Sequence, residues 1–262
     1  MKKETQLSKE RLRTLIPGFD DLIEKGGIPR GISVLIEGGP GSGKTIFCLQ
    51  VAINACKKGQ KVLYMSFEEP ELRLIEHMEE FGWNPKEYIK KGLLYVKRFS
   101  ALDVARSVEA LLSEAKRELL VEIRPILFPE NFKPDVLCID SLSSIASAFS
   151  GEENRFRIYM EQLFFYLEKM NINSFLIREV SNPTHVGQVY VERHEAVSFL
   201  SDSIVVLYNV VYSTGKRGSA LEILKMRGEK IKRDIVNMEI TSKGIIVHPN
   251  QELGDKKKYI LT

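Results

Sequence analysis

Residues 37–45 read EGGPGSGKT, a run of glycine, proline and a single lysine with too little apolar surface to pack as a core. From Gly38 the stretch fits G-x-x-x-x-G-K-[ST], closing on Gly43, Lys44 and Thr45. Before it lies ISVLIE (32–37), the kind of short apolar run that a buried parallel strand shows. After it, TIFCLQVAINACKKG (45–59) has helical periodicity, lysines in its last turn and Gly59 placed as a C-cap. A strand, a glycine loop and a helix in that order set a row of free backbone N–H groups at a helix N-terminus, and that geometry binds phosphate. The sequence therefore predicts a P-loop for a nucleoside triphosphate, built from Gly38, Gly39, Pro40, Gly41, Ser42, Gly43, Lys44, Thr45 and Ile46. Lys44 supplies a mobile cation for the terminal phosphates, and the Thr45 hydroxyl supplies a ligand for Mg2+.

The surrounding composition bounds the reading. A chain of 262 residues fits one large α/β domain or two small ones, and either size can bury a core. A net charge of +3 is too small to argue by itself for nucleic acid or an anionic membrane. Cys48, Cys56 and Cys138 sit in apolar periodic segments and form no C-x-x-C pair, which reads as reduced core thiols in a cytoplasmic protein. The four histidines show no zinc spacing. The opening stretch MKKETQLSKERLRT is charged and lacks the apolar segment of a signal peptide, and no window holds 18 apolar residues, so no membrane span is expected.

Along the chain, strands are predicted at 61–69, 92–99, 135–140 and 174–179, separated by helical patterns. One such pattern opens at Pro70 and closes at Gly82, another covers 100–119 with Ser100 and Asp103 spaced as a capping box, and a third covers 153–170. Residues 122–134 carry three prolines and no period, and read as an irregular excursion or a docking surface for a protein partner. Beyond 200 the pattern changes to SIVVLYNVV, SALEILKM, DIVNMEI and GIIVH, strands joined by short turns. That arrangement predicts an α/β fold: a mostly parallel central sheet with helices on both faces and an antiparallel, β-rich C-terminal edge. We divide the chain into a basic segment at 1–11, one domain at 12–248 and a charged tail at 249–262.

Three further sites follow from chemistry at strand ends. Asp140 closes an apolar strand, where a carboxylate suits a hard divalent cation next to a P-loop. Glu68 and Glu69 end the strand after the P-loop helix, on the side where ligands bind in such sheets; strand alternation sends neighbours to opposite faces, so at least one faces the site and can take a proton from the attacking water. Lys225 and Arg227 lie two apart on a predicted strand, so both leave on one face. Spacing alone favours a solvated, charged sheet edge for this pair. The alternative is a pair of cations offered to the γ-phosphate of a neighbouring subunit.

Several stretches together resemble the KaiC-like branch of the RecA superfamily: LIPGFDDLIEKGGIPRG, GGPGSGKT, MSFEE, FGW, LCIDSLSS, FLSDSIVVLYNV and LEILKMRG. The match runs from about Leu12 to His248 and keeps the motif order. The clock protein that gives the branch its name carries two such domains in tandem, whereas this chain carries one. The resemblance implies a RecA-like fold, with ATP and Mg2+ bound between the subunits of a ring, usually a hexamer. It also implies that Glu68 and Glu69 are the paired catalytic glutamates, that Asp140 is the Walker B acid, and that Lys225 and Arg227 reach the neighbour's ATP. Where the self-phosphorylating relatives have adjacent Ser and Thr, this chain reads VSFLSD, with Ser198 followed by Phe199, so a clock-type phosphorylation cycle is not expected.

Two other readings stand beside a hydrolysis-driven switch. One is a RecA/RadA-type ATPase that assembles on DNA, although 180–195 is poor in cations and only GKRG and GEKIKRD offer a basic patch. The other is a scaffold that binds ATP and barely hydrolyses it.

Overall fold

The computed structural model describes residues 11–106, 128–129, 131–149, 151–180, 195–253 and 259–262. Twelve strands and seven helices are assigned among them. In chain order they begin with β1 (Arg11–Leu12), β2 (Ile28–Pro29), β3 (Ser33–Gly38), α1 (Lys44–Lys57), β4 (Val62–Ser66), α2 (Glu71–Glu80), α3 (Pro85–Lys90) and β5 (Leu94–Arg98). A helical stretch at 101–106 (α4) follows, then β6 (Val136–Asp140), α5 (Leu142–Ala148), α6 (Glu153–Lys169) and β7 (Asn173–Glu179). The chain closes with α7 (Glu195–Leu200), β8 (Ser203–Tyr212), β9 (Arg217–Met226), β10 (Val236–Thr241), β11 (Gly244–Glu252) and β12 (Tyr259–Leu261).

One large sheet runs β11-β10-β9-β8-β3-β7-β6-β4-β5, with β12 added to β8. From β5 to β8 the neighbours are parallel, and from β8 to β11 they are antiparallel. The α/β class and the antiparallel C-terminal edge are as the sequence predicts. β8 belongs to both halves, because it pairs parallel with β3 and antiparallel with β9.

The strands alternate their side chains between two cores, as a sheet covered on both faces must. Val34 and Ile36, Val62 and Tyr64, and Val136 and Cys138 face the core that holds α1 and α2. Leu35, Leu63, Met65, Leu137 and Ile139 face the other core, filled by Phe156, Met160 and Leu163 of α6. All three cysteines are buried and free, two of them in α1 and the third in β6. The chain leaves α1 through Gly59, whose N–H bonds to the Cys56 carbonyl while that of Gln60 reaches Ala55, the paired pattern of a glycine-closed helix.

Some elements were not legible. The β1–β2 ribbon is two residues per strand, below the length at which alternation can be read. α3 is a six-residue helix with Pro85 in its first turn. In the stretch read as a charged tail, β11 continues to Glu252 and β12 returns to the sheet. Much of the 100–119 pattern and the proline-rich stretch lies outside the described residues. Within them, Asp103 N–H does bond to the Ser100 hydroxyl at 3.3 Å, and Phe132 packs on Tyr95, ring centroids 5.7 Å apart. No described helix is long and apolar enough to cross a membrane.

The segment between β1 and β2 is tied to α1 by Phe19, which is fully buried and meets the Phe47 ring edge-on at 5.2 Å. Truncating it opens a cavity against α1 that neighbours on a sheet cannot fill. Phe19→Ala should cost about 3–5 kcal/mol of unfolding free energy in urea titration. A loss below about 1 kcal/mol would mean that the segment is not part of the cooperative core.

Candidate functional site

The site forms where the parallel strands end. β3 stops at Gly38, and the chain turns away through the glycine loop into α1. A side chain at Gly38 could not be accommodated, since a Cβ there would stand 2.5 Å from both the Leu207 carbonyl and the Ser42 hydroxyl. Gly43 caps α1 with φ +97°, a conformation that L side chains rarely adopt. The loop thus needs glycine at both ends, one for space and one for backbone angle.

Lys44 is buried, and its ammonium donates to the Gly38 and Gly39 carbonyls at 3.0 and 2.8 Å. Burial lowers its pKa, and the nearby Glu179, Asp140 and Glu68 carboxylates oppose that shift. Glu179 ends β7, with Oε1 at 4.0 Å from the ammonium. The Ser42 hydroxyl is buried and has no protein partner, a polar atom of the loop still to be satisfied.

Thr45 and Asp140 lie side by side. The Thr45 hydroxyl donates to Asp140 Oδ2 at 2.9 Å, and the Tyr64 hydroxyl donates to the same oxygen at 2.8 Å. Burial pushes the Asp140 carboxyl up to about 6, against the lowering effect of those two hydrogen bonds. The set consists of a hydroxyl and a carboxylate, hard oxygen donors that suit magnesium.

Glu68 and Glu69 lie past the end of β4, which stops at Ser66, so the expected strand alternation does not apply to them. Instead the Ser66 hydroxyl closes a turn, donating to the Glu69 carbonyl at 2.7 Å and accepting from the Glu69 N–H at 3.0 Å. Both glutamates consequently face the same cleft. Glu68 Oε1 accepts from the Ser141 hydroxyl at 2.6 Å and the Ser144 hydroxyl at 2.8 Å. Ser141 is also the N-cap of α5. Glu69 Oε2 lies 3.9 Å from Arg73 and 3.7 Å from His77, both on α2.

The cleft has a volume of about 390 Å³, within the range of small-molecule sites. Gly41, Gly43, Lys44, Thr45 and Ile46 line it from the loop, while Gly38, Gly39 and Ser42 form the loop's buried side and Pro40 is exposed, its carbonyl accepting from Asn209. The positive-φ glycines, the buried lysine, the unsatisfied Ser42 hydroxyl and the Thr45–Asp140 oxygens together fit a magnesium triphosphate.

Lys225 and Arg227 do not join this cleft. Lys225 donates to the Ser198, Phe199 and Ser201 carbonyls at 3.1, 3.4 and 2.6 Å, and Arg227 donates to the Phe199 carbonyl at 2.6 Å. β9 ends at Met226, so strand alternation does not extend to Arg227, yet both side chains meet the C-terminal end of α7. Arg227 also lies 3.5 Å from Asp202. Ser198 is half-buried and donates to Glu37 Oε1 at 3.3 Å. Residues 181–194, most of the stretch weighed against DNA binding for its few cations, lie outside the described residues.

Tyr64, the Ser141–Ser144 pair and the buried Glu37–Arg178 ion pair carry no signal that singles them out in the sequence. Tyr64 sits inside an apolar run that gives no sign of a polar role. Glu179, beside Lys44, does carry one, a carboxylate at the end of a predicted strand, the same signal that marks Asp140.

Comparisons with known proteins agree with this geometry. The model of the family described as "ATPase: KaiC" matches residues 12–252. The UPF0273 protein of Aeropyrum pernix is 29% identical over 253 residues, covering 92% of this chain and 95% of that one. The circadian clock oscillator protein KaiC of Synechococcus elongatus is 27% identical over 242 residues, covering 91% of this chain but 44% of its own length. Against that relative, the chain therefore spans less than half the protein. The crystal structure of a KaiC-like protein from Pyrococcus horikoshii superposes with a TM-score of 0.71 at 27% identity, covering 92% of this chain and 99% of that one. A RecA-type sheet, a glycine loop with its buried lysine and a family match over nearly all the described residues lead to one assignment: the chain belongs to the KaiC ATPase family.

Proposed function

We propose that the protein is a magnesium-dependent ATPase of the cytoplasm that works as a homo-oligomeric ring, usually hexameric in this branch, and uses hydrolysis as a conformational switch. The observation that carries this reading is the convergence of Lys44, Thr45, Asp140, Glu68 and Glu69 on one cleft. Loop N–H groups and Lys44 bind the phosphates, and Lys44 gives up its contacts with the Gly38 and Gly39 carbonyls to do so. Thr45 and Asp140 would hold magnesium, which would neutralise charge on the phosphate oxygens. Glu68, with one carboxylate oxygen fixed by two serine hydroxyls, orients the attacking water and takes its proton on the other. Glu69, tethered to α2, supports the same water. The charge that develops on the γ-phosphate needs a further cation, and Arg227, exposed at the far end of the sheet, supplies it to the next subunit.

The buried Asp140 carboxyl gives a test of the metal site. Its folded pKa of about 6 lies above the ordinary 3.8, so without metal the folded state loses stability as pH rises from about 4 to 6. Asp140→Asn removes that loss. In metal-free buffer at pH 7 the variant should be more stable than wild type by about 2–3 kcal/mol, with the gain gone at pH 4, while magnesium-dependent turnover is lost. Equal stabilities at both pH values would show that Asp140 is not held as a strained acid.

Glu68→Gln combined with Glu69→Gln should keep ATP affinity and lower turnover by about 10²–10⁴-fold. Wild-type turnover in the double variant would leave these residues as helix-leading surface acids.

Arg227→Ala should lose about 10³–10⁵ in rate if it acts across an interface. Mixed rings of Arg227→Ala and Lys44→Ala subunits should regain activity that neither has alone, because some sites then combine an intact loop with an intact arginine. Co-assembly without recovery would return Arg227 to the solvated-edge role.

A further inference from the structure

Between the glycine loop and Arg227 lies a line of contacts that the hydrolysis scheme does not use. Glu37, the residue before Gly38, is fully buried and pairs with Arg178 Nη2 at 2.8 Å. Arg178 directly precedes Glu179, whose carboxylate faces Lys44 in the cleft. The Ser198 hydroxyl of α7 donates to Glu37 at 3.3 Å. One residue on, the Phe199 carbonyl accepts Arg227, and the carbonyls of Ser198, Phe199 and Ser201 accept Lys225. A second tie runs in parallel: Asp202 takes the Arg227 backbone N–H on its carbonyl at 2.9 Å and both the N–H and hydroxyl of Ser33, the first residue of β3, on its carboxylate.

We propose that Ser198 is a positioning residue for Arg227: it fastens α7 to the strand that carries the glycine loop, and α7 in turn sets where Arg227 points. The inference rests on the reading of Arg227 as a cation supplied to a neighbour. Lys225, half-buried and donating its ammonium to two α7 carbonyls and that of Ser201 just beyond, is then part of the mount, and Arg227, exposed, is the part that reaches out. The geometry couples the two ends because the same short helix touches both. Its hydroxyl holds the buried pair behind the loop, and its last carbonyls hold the two cations. A change at Glu37 or Arg178 when the loop fills is thereby transmitted to Arg227 through a single six-residue element. The competing account is local: cations at a helix C-terminus are stabilising anyway, and Ser198 only satisfies a buried carboxylate.

Turnover against ATP concentration separates the two for Ser198→Ala, Ser198→Thr, Arg227→Ala and the double variant Ser198→Ala with Arg227→Ala. Nucleotide affinity is read by calorimetry and stability by thermal unfolding. The proposal expects Ser198→Ala to lower kcat by about 2- to 30-fold, the size of a transmitted coupling. Nucleotide affinity and Tm should stay near wild type, and Ser198→Thr, which keeps the hydroxyl, should recover the rate. In the Arg227→Ala background the Ser198 substitution should have no further effect, because the group it positions is gone. Lys225→Met, which frees the other side of α7, should show the same dependence on Arg227 and serves if Ser198→Ala does not fold. Wild-type kcat in Ser198→Ala, or an equal loss in both backgrounds, overturns the proposal, as does a loss that follows affinity or Tm. If Arg227→Ala itself turns over at the wild-type rate, the interface reading fails first and by its own measurement.

Discussion

The pairing of β3 with β7 sets almost everything else in the site. The two strands run parallel in register, Glu37 opposite Arg178 and Gly38 opposite Glu179. That register places a buried ion pair one residue below the loop and a second carboxylate beside the lysine that follows it. A slip of one residue would turn Glu37 to the other face and leave Arg178 buried against apolar side chains. Breaking a buried pair by removing one partner is far costlier than never having built it, so the register of these strands and the position of the glycine loop are specified together.

Around that pair the molecule carries unusual charge for a protein interior: Lys44, Asp140, Glu37 and Arg178 are all buried. Each has partners, and none comes without cost, as the upward shift of Asp140 and the downward shift of Lys44 indicate. Two hydroxyls on one oxygen of Asp140 do not offset its desolvation. Such an arrangement spends stability on a preformed site, which is what phosphate chemistry asks of its surroundings, since positioning and charge carry most of the catalysis.

How much of this was legible depends on range. The glycine loop, the parallel strands and Asp140 could be read because their signals are local: a spacing, an apolar run, an acid at its end. Glu68 and Glu69 were found by position but with the wrong mechanism, since a serine-closed turn and not strand alternation aims both at the cleft. Ser141 and Ser144 looked like ordinary helix-start residues, and their contact with Glu68 spans more than seventy positions of chain. The Glu37–Arg178 pair was hidden for the same reason. Each residue alone reads as the polar end of a strand, and only the strand order, in which β7 lies beside β3, makes them neighbours.

Lys225 and Arg227 bring the two kinds of argument into contact. Spacing favoured a charged edge, family resemblance favoured a reach across an interface, and within the chain both cations meet the end of α7. Both cations cap the carbonyl end of α7, a stabilising arrangement that needs no partner subunit. Yet they do so unequally. Lys225 is half-buried with three carbonyl acceptors, whereas Arg227 is exposed, holds the Phe199 carbonyl, and keeps Asp202 only at 3.5 Å. An exposed ion pair of that kind contributes little to stability, so exchanging it for a phosphate costs little. The guanidinium has five donors in a planar fork, so it can hold one carbonyl and still present N–H groups outward, which an ammonium with all three donors engaged cannot. Capping and reaching are therefore compatible roles for Arg227, and in the proposed scheme α7 is the part of the fold that joins them.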